Sequence, residues 1–283
     1  MPDEDAAEAE DGEEDGAGDG EATAAAERAR TVDAGSEAGE QWRVLVPLQV
    51  LEGESVPDGV AELVGELAVT VLGYYEVPEQ TEPDQARSQL EDRATEALAD
   101  VAAVFEDAGA DVETRMVFTR DVHQSLDRVA REAGCQVVLL PNPAATVERV
   151  LVALSEDVNT ARITDFVAGL AGADVAVTVW RAAATDVDAP REAGIVDRAR
   201  SRLIDAGVSG GDIDDTVAVT DETVDAIVAA AEGHDAIVMG ESEPSLASFV
   251  LGDLHDRVAE RSLTPVFVVK GPGDARPDGE GDG

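Results

Sequence analysis

Lysine is almost missing from this chain. Lys270 is the only one, and the other 19 basic residues are arginines. Against these 20 bases stand 62 acids, for a formal net charge of −42. Phosphate backbones bind cationic surfaces, so no nucleic acid partner is expected. The same sign argues against anionic membrane surfaces. Cys135 is the only cysteine, which rules out an intrachain disulfide. It precedes an apolar run and reads as a buried structural thiol. Aromatic residues make up only 3%. No run reaches the roughly 18 apolar residues of a membrane helix, so no membrane insertion is expected. There is no Gly-Lys-Ser or Gly-Lys-Thr of a phosphate loop, no pair of CxxC elements and no HExxH. The start of the chain lacks the basic and apolar segments of a signal peptide, and a soluble cytoplasmic protein is the expectation.

An acid excess with almost no lysine resembles the proteins of salt-in halophiles, usually archaea. The physics agrees, because at molar salt the Debye length falls to about 3 Å and like surface charges barely repel. At low salt the same charge would push the folded state apart. Residues 1–40 carry 15 acids and 2 arginines with no apolar period, and are expected to form a disordered acidic tail. Residues 272–283 have the same Gly, Pro and acid character. With both tails left out, 43 acids still face 17 bases, because the ends hold 19 acids and 3 arginines.

Hydrophobic residues make up 44%, enough for a substantial core. The body repeats itself. Arg43-Val44-Leu45-Val46-Pro47-Leu48 returns as Arg149-Val150-Leu151-Val152-Ala153-Leu154. Ala68-Val69-Thr70-Val71 returns as Ala176-Val177-Thr178-Val179. Asp111 to Thr119 parallels Asp212 to Thr220, and Gln136 to Pro141 parallels Ala236 to Glu241. The order is kept, which argues for tandem duplication of a domain rather than a solenoid.

Each half alternates short apolar runs with longer amphipathic stretches. The pattern predicts strands near 42–48, 68–76, 111–118 and 136–141. Helices are expected near 58–67, 85–109 and 121–133. In the second half strands are expected near 148–154, 174–181, 213–219, 235–240 and 265–270. Its helices are expected near 159–171, 189–207, 221–232 and 252–261. The strand runs are Val/Leu-rich and do not alternate, as parallel strands covered on both faces require. Such alternation of strand and helix implies right-handed crossovers and a doubly wound α/β sheet.

The second half, 148–270, resembles a universal stress protein domain. The pieces that carry the likeness are Arg149 to Leu154, then Ala236-Ile237-Val238-Met239-Gly240. Gly252 then opens a helical stretch, and Thr264-Pro265-Val266-Phe267-Val268-Val269 closes the domain. Residues 42–142 resemble the same domain more loosely and stop after the fourth strand, at Leu140-Pro141-Asn142-Pro143. The resemblance implies two adenine-nucleotide-hydrolase-like domains in tandem, over 41–145 and 146–271. The first is truncated and leans on the second for sheet completion or packing. The pair would form an intrachain pseudo-dimer, with a homodimer of two chains as the alternative.

Many members of that family bind ATP at a glycine loop before a helix N-terminus, where backbone N–H groups and the helix dipole hold phosphate. In this chain the positions matching that site are Ser155, Gly240, Ser242 and Gly252. Glu243 stands where the loop's second glycine belongs. Gly252 comes one residue early, and Asp253 follows it in place of Ser or Thr. The base-contacting aspartate is replaced by Ser155 in the second half and by Gln49 in the first. Glu241, Glu243 and Asp253 bring negative charge to the place of the phosphates. At 4 Å, two like charges repel by about 4 kcal/mol near a protein surface. An eroded phosphate loop follows, with no cofactor expected. Asp253, His255 and Asp256 make a poor metal set, because residue 255 points away from the other two. His123 and His234 read as surface or capping residues. Tyr74, Tyr75 and Trp180 read as packing residues or as the lining of a cleft at the carboxyl end of the sheet.

The expectation is therefore a non-enzymatic, universal-stress-type regulatory or stress-response module of a halophile cytoplasm. It would act through a protein partner or a small ligand. An ATP- or AMP-binding protein with weak ATPase activity is the alternative. A soluble regulator of a membrane transporter is another, since such domains occur fused to or encoded beside transporters.

Overall fold

The computed structural model describes residues 42–142, 146–154, 159–170, 175–241, 255–262 and 264–271. Both tails anticipated from composition fall outside these ranges. In the first half, β1 is Arg43–Leu48 and β2 is Ala68–Glu76. Strand β3 is Asp111–Thr119 and β4 is Val137–Leu140. Helices α1 (Asp58–Leu63), α2 (Pro83–Asp107) and α3 (Val122–Glu132) alternate with them. In the second half, β5 is Arg149–Leu154, β6 Ala176–Ala183 and β7 Ile213–Val219. Strands β8 (Ala236–Gly240) and β9 (Val266–Val269) complete it. Its helices are α4 (Thr160–Leu170), α5 (Ala189–Asp205), α6 (Thr223–Ala231) and α7 (His255–Ser262). None of the described helices is long and apolar enough to cross a membrane.

All nine strands join one sheet in the order β3-β2-β1-β4-β9-β8-β5-β6-β7. Within each half the pairings are parallel; the central strands are buried on both faces and run apolar without alternation, whereas the edge strands β3 and β7 are partly exposed and carry polar residues. The repeated segments occupy matching places. Arg43 pairs with Ala68 as Arg149 pairs with Ala176.

One pairing departs from the expected parallel sheet. Strand β9 runs parallel to β8 but antiparallel to β4, with Leu139 opposite Phe267. Among the described residues the first half supplies no fifth strand, and without a partner the edge of β4 would leave N–H and C=O groups unpaired. Strand β9 covers that edge and serves both halves. Beyond the strand, Lys270 N–H donates to Gln136 O at 2.9 Å. The Lys270 ammonium, 4% exposed, lies 3.7 Å from Asp127 of α3. The chain's one lysine thus ties the last strand to the first half. Trp42, Phe166 and Phe267 continue the seam as an aromatic row, with centroids 5.3 and 5.8 Å apart.

The helices are placed by their apolar stripes. In α2, Ala94, Leu98, Val101 and Phe105 recur at three- and four-residue steps and are all buried. Asp121 caps α3 by accepting the Gln124 N–H at 2.9 Å. Helix α1 is shorter than the 58–67 expected and ends at Leu63. There Gly65 passes so close to the carbonyl of Ala108 that a Cβ would lie 2.3 Å from it.

Candidate functional site

In a doubly wound sheet the crevice lies at the carboxyl ends of the strands, where the order reverses. In the first half that place is between β1 and β4. A cavity of about 370 Å³ opens there. Pro47 and Leu48 at the end of β1 and Leu140 at the end of β4 form its apolar floor. Val122 and Leu126 of α3 form one wall, and Ala259 of α7 brings the second half to another. The polar groups at its rim are Glu54, Ser55, Tyr74, His123 and Asn142. Among the described residues no lysine or arginine lines it.

These polar groups are held by a local network. Gln49 follows β1 and begins a short 3₁₀ turn over Val50–Glu52. Its amide is oriented so that Nε2 donates to the Glu52 carboxylate at 2.8 Å and Oε1 accepts from the Tyr74 hydroxyl at 3.2 Å. The opposite orientation would turn the amide oxygen toward a carboxylate. The Gln49 backbone N–H donates to Glu54 at 2.6 Å. Burial pushes the Tyr74 hydroxyl above its ordinary range. The carboxylates of Glu54, Glu52 and Glu76 reinforce this. Asn142 looks the other way. Its Nδ2 donates to the carbonyls of Ala259 and Thr264, each at 3.0 Å, and so clamps the end of β4 to the second half.

The second half presents a different edge. Gly240 ends β8, buried against α4. A Cβ there would lie 2.9 Å from Ile163 Cδ1 and 3.6 Å from Asn159 Cβ. A methyl at residue 240 would therefore require the end of the buried Ile163 side chain to shift. Gly240→Ala is expected to cost about 1–3 kcal/mol through overpacking. It would read as a lower urea midpoint in molar KCl, and an unchanged midpoint would contradict the packing role. Glu241 N–H donates to Val269 O at 2.9 Å. Ser155, Ser242, Glu243, Gly252 and Asp253 lie outside the described residues, as do Ser155's immediate followers up to residue 158.

Arg181 sits opposite Leu154, where β5 ends. Its guanidinium pairs with Glu192 of α5, and both side chains are about nine-tenths buried. Arg181 Nη1 also donates to Leu154 O at 3.4 Å. In the first half the corresponding place, opposite Leu48, is Gly73. Neither this ion pair nor the reach of Asn142 was foreseen. The partners of Asn142 lie 117 and 122 residues away, a separation that leaves no local pattern.

The other candidates resolve into packing. Tyr74 lines the cavity, as one of its two readings anticipated, whereas Tyr75 packs on Phe118 at 6.0 Å. Trp180 is buried with Val224 and Ile227. Cys135 is buried, and burial pushes its thiol up, away from nucleophilic chemistry. His234 lies before β8, at the far end of the sheet. Its ring meets the Thr178 hydroxyl at 2.9 Å, and burial lowers its pKa. His123, expected as a surface or capping residue, is exposed but stands at the cavity rim. Among the described residues no three His, Cys, Asp or Glu side chains cluster as a metal site.

No family model matches this chain, and no curated protein does. Solved structures do. A universal stress protein from Archaeoglobus fulgidus DSM 4304 is 17% identical, with a TM-score of 0.55 over 82% of this chain and 99% of its own. A candidate universal stress protein from Pseudomonas aeruginosa UCBPP-PA14 is 15% identical, with a TM-score of 0.50 over 83% of this chain and 95% of its own. A universal stress protein in complex with cAMP is 24% identical over 44% of this chain and 99% of its own, with a TM-score of 0.37. At these identities the likeness establishes the fold: an α/β, mostly parallel sheet of the universal stress protein type.

Proposed function

We propose that this chain is a non-enzymatic, universal-stress-type regulatory module of a halophile cytoplasm, acting through a small ligand without ATP. The observation that carries the reading is where the cations are. The one open crevice edge found among the described residues is lined by Glu54, Tyr74 and His123 but by no lysine or arginine. At the matching edge of the second half, the guanidinium of Arg181 is already neutralised by Glu192. A triphosphate would meet Glu52, Glu54 and Glu76 at the first, and at the second the described cations beside Glu192 are Arg181 and the exposed Arg191, which lies 4.0 Å from the same carboxylate. Among the described residues no hydrogen bond joins Ser55 or Tyr74 to His123, so no activated nucleophile supports a catalytic reading. The acid-rich, lysine-poor body supports the halophile assignment.

The test is isothermal titration of the full chain with ATP and Mg²⁺ in molar KCl. No saturable heat is expected below millimolar ligand. Micromolar binding at one site would overturn the reading.

A further inference from the structure

We propose that the first-half cavity is a binding site for a small organic cation, an amine or amidine carried on an apolar body. The inference rests on the reading of the chain as a small-ligand module and names the ligand class for it.

The argument is a count of hydrogen-bond capacity. Tyr74 O–H is spent as a donor to Gln49, which leaves its oxygen as an acceptor. The Asn142 NH₂ spends its donors on Ala259 O and Thr264 O, which leaves Oδ1 as the group it can offer. Glu54 takes the Gln49 N–H on Oε2 alone, and a carboxylate has about four acceptor sites. Ser55 can act either way. His123 brings at least one ring N–H to the rim, and the other groups offer mainly acceptors, with one full negative charge and two more carboxylates, Glu52 and Glu76, close enough to act on Tyr74. The floor below is apolar: Pro47, Leu48, Leu126 and Leu140. A ligand that matches both parts has N–H donors and positive charge at one end and a hydrocarbon or aromatic body at the other. An anion opposes the rim's carboxylate charge and would find uncommitted side-chain donors only in Ser55 and His123 among the described residues. The volume of about 370 Å³ lies at the small end of ligand pockets, which suits a single ring or a short chain.

Three probes of one shape and three charges test this: benzamidinium, benzamide and benzoate. Each is titrated into the full chain in molar KCl by ligand-observed NMR. Benzamidinium is expected to bind saturably and at least fivefold more tightly than benzamide, with benzoate weakest. Glu54→Gln keeps an acceptor for Gln49 but removes the charge. It is expected to erase the preference for benzamidinium over benzamide. Ser55→Trp, at an exposed rim position, is expected to block both. Equal affinity for the three probes, a preference that survives Glu54→Gln, or no binding at all would each overturn the inference. The ATP titration separates the two claims. If neither ATP nor any probe binds, this inference falls and the non-nucleotide reading stands. If ATP binds at micromolar concentration, the reading itself falls.

Discussion

Phe267→Ala is expected to lower stability by about 3–5 kcal/mol and to unfold both halves in one step. Phe267 is fully buried at the centre of β9. It pairs with Leu139 of the first half on one side and with Val238 of the second on the other. Its ring packs on Phe166, which in turn packs on Trp42. Removing it leaves a cavity where the two halves meet, and the cavity term adds to the lost transfer energy. The chain supplies its own reporters. Trp42 precedes β1 and Trp180 lies in β6, so Trp42→Phe and Trp180→Phe each leave one fluorophore in one half. Urea unfolding in molar KCl should give coincident transitions for the two reporters, before and after the Phe267 substitution. If Phe267→Ala moves the Trp180 transition alone, the halves are independent and the shared strand is not their common core.

That expectation could not have been formed from the sequence, although its parts were legible there. The strand at 68–76 was read to the residue because an apolar run buried on both faces has a plain signature, and the partly exposed strand at 213–219 was read from its parallel with Asp111 to Thr119. The first half was expected to stop after its fourth strand, from Asn142-Pro143 standing where a glycine loop and helix would follow. What could not be read was that β9 would turn its second edge to β4 in the antiparallel sense. Strand pairing depends on backbone edges, which carry no side-chain pattern. The site divides in the same way. Tyr74 was visible as a candidate because it ends a strand at the carboxyl edge. Glu54, Ser55 and His123 were not, because surface acids and loop residues look alike until the fold brings them to one rim. The glycine loop drew attention through Gly240, and Gly240 proves to be held by its contact with Ile163.

The Arg181–Glu192 pair is the feature most hidden in the sequence, and its removal carries the other large effect. Glu192→Leu is expected to cost about 3–5 kcal/mol, because it leaves an uncompensated guanidinium in a buried place. The pair is not expected to be a net source of stability. Taking two ions out of water costs several kcal/mol each, and their attraction repays this only with good geometry. Arg181→Met combined with Glu192→Leu should therefore return to within about 1 kcal/mol of the wild type, or exceed it. The two single substitutions and the double one form a cycle, with strong coupling as the expected result. A pair of this kind keeps Arg181 occupied at the end of β5, so the double variant also removes this buried cation from the second half's edge without disturbing the first-half cavity. Ligand affinity there should be unchanged while the Glu192 single variant unfolds early. If Glu192→Leu costs less than about 1 kcal/mol, water reaches the guanidinium, and Arg181 would be available to an anion after all.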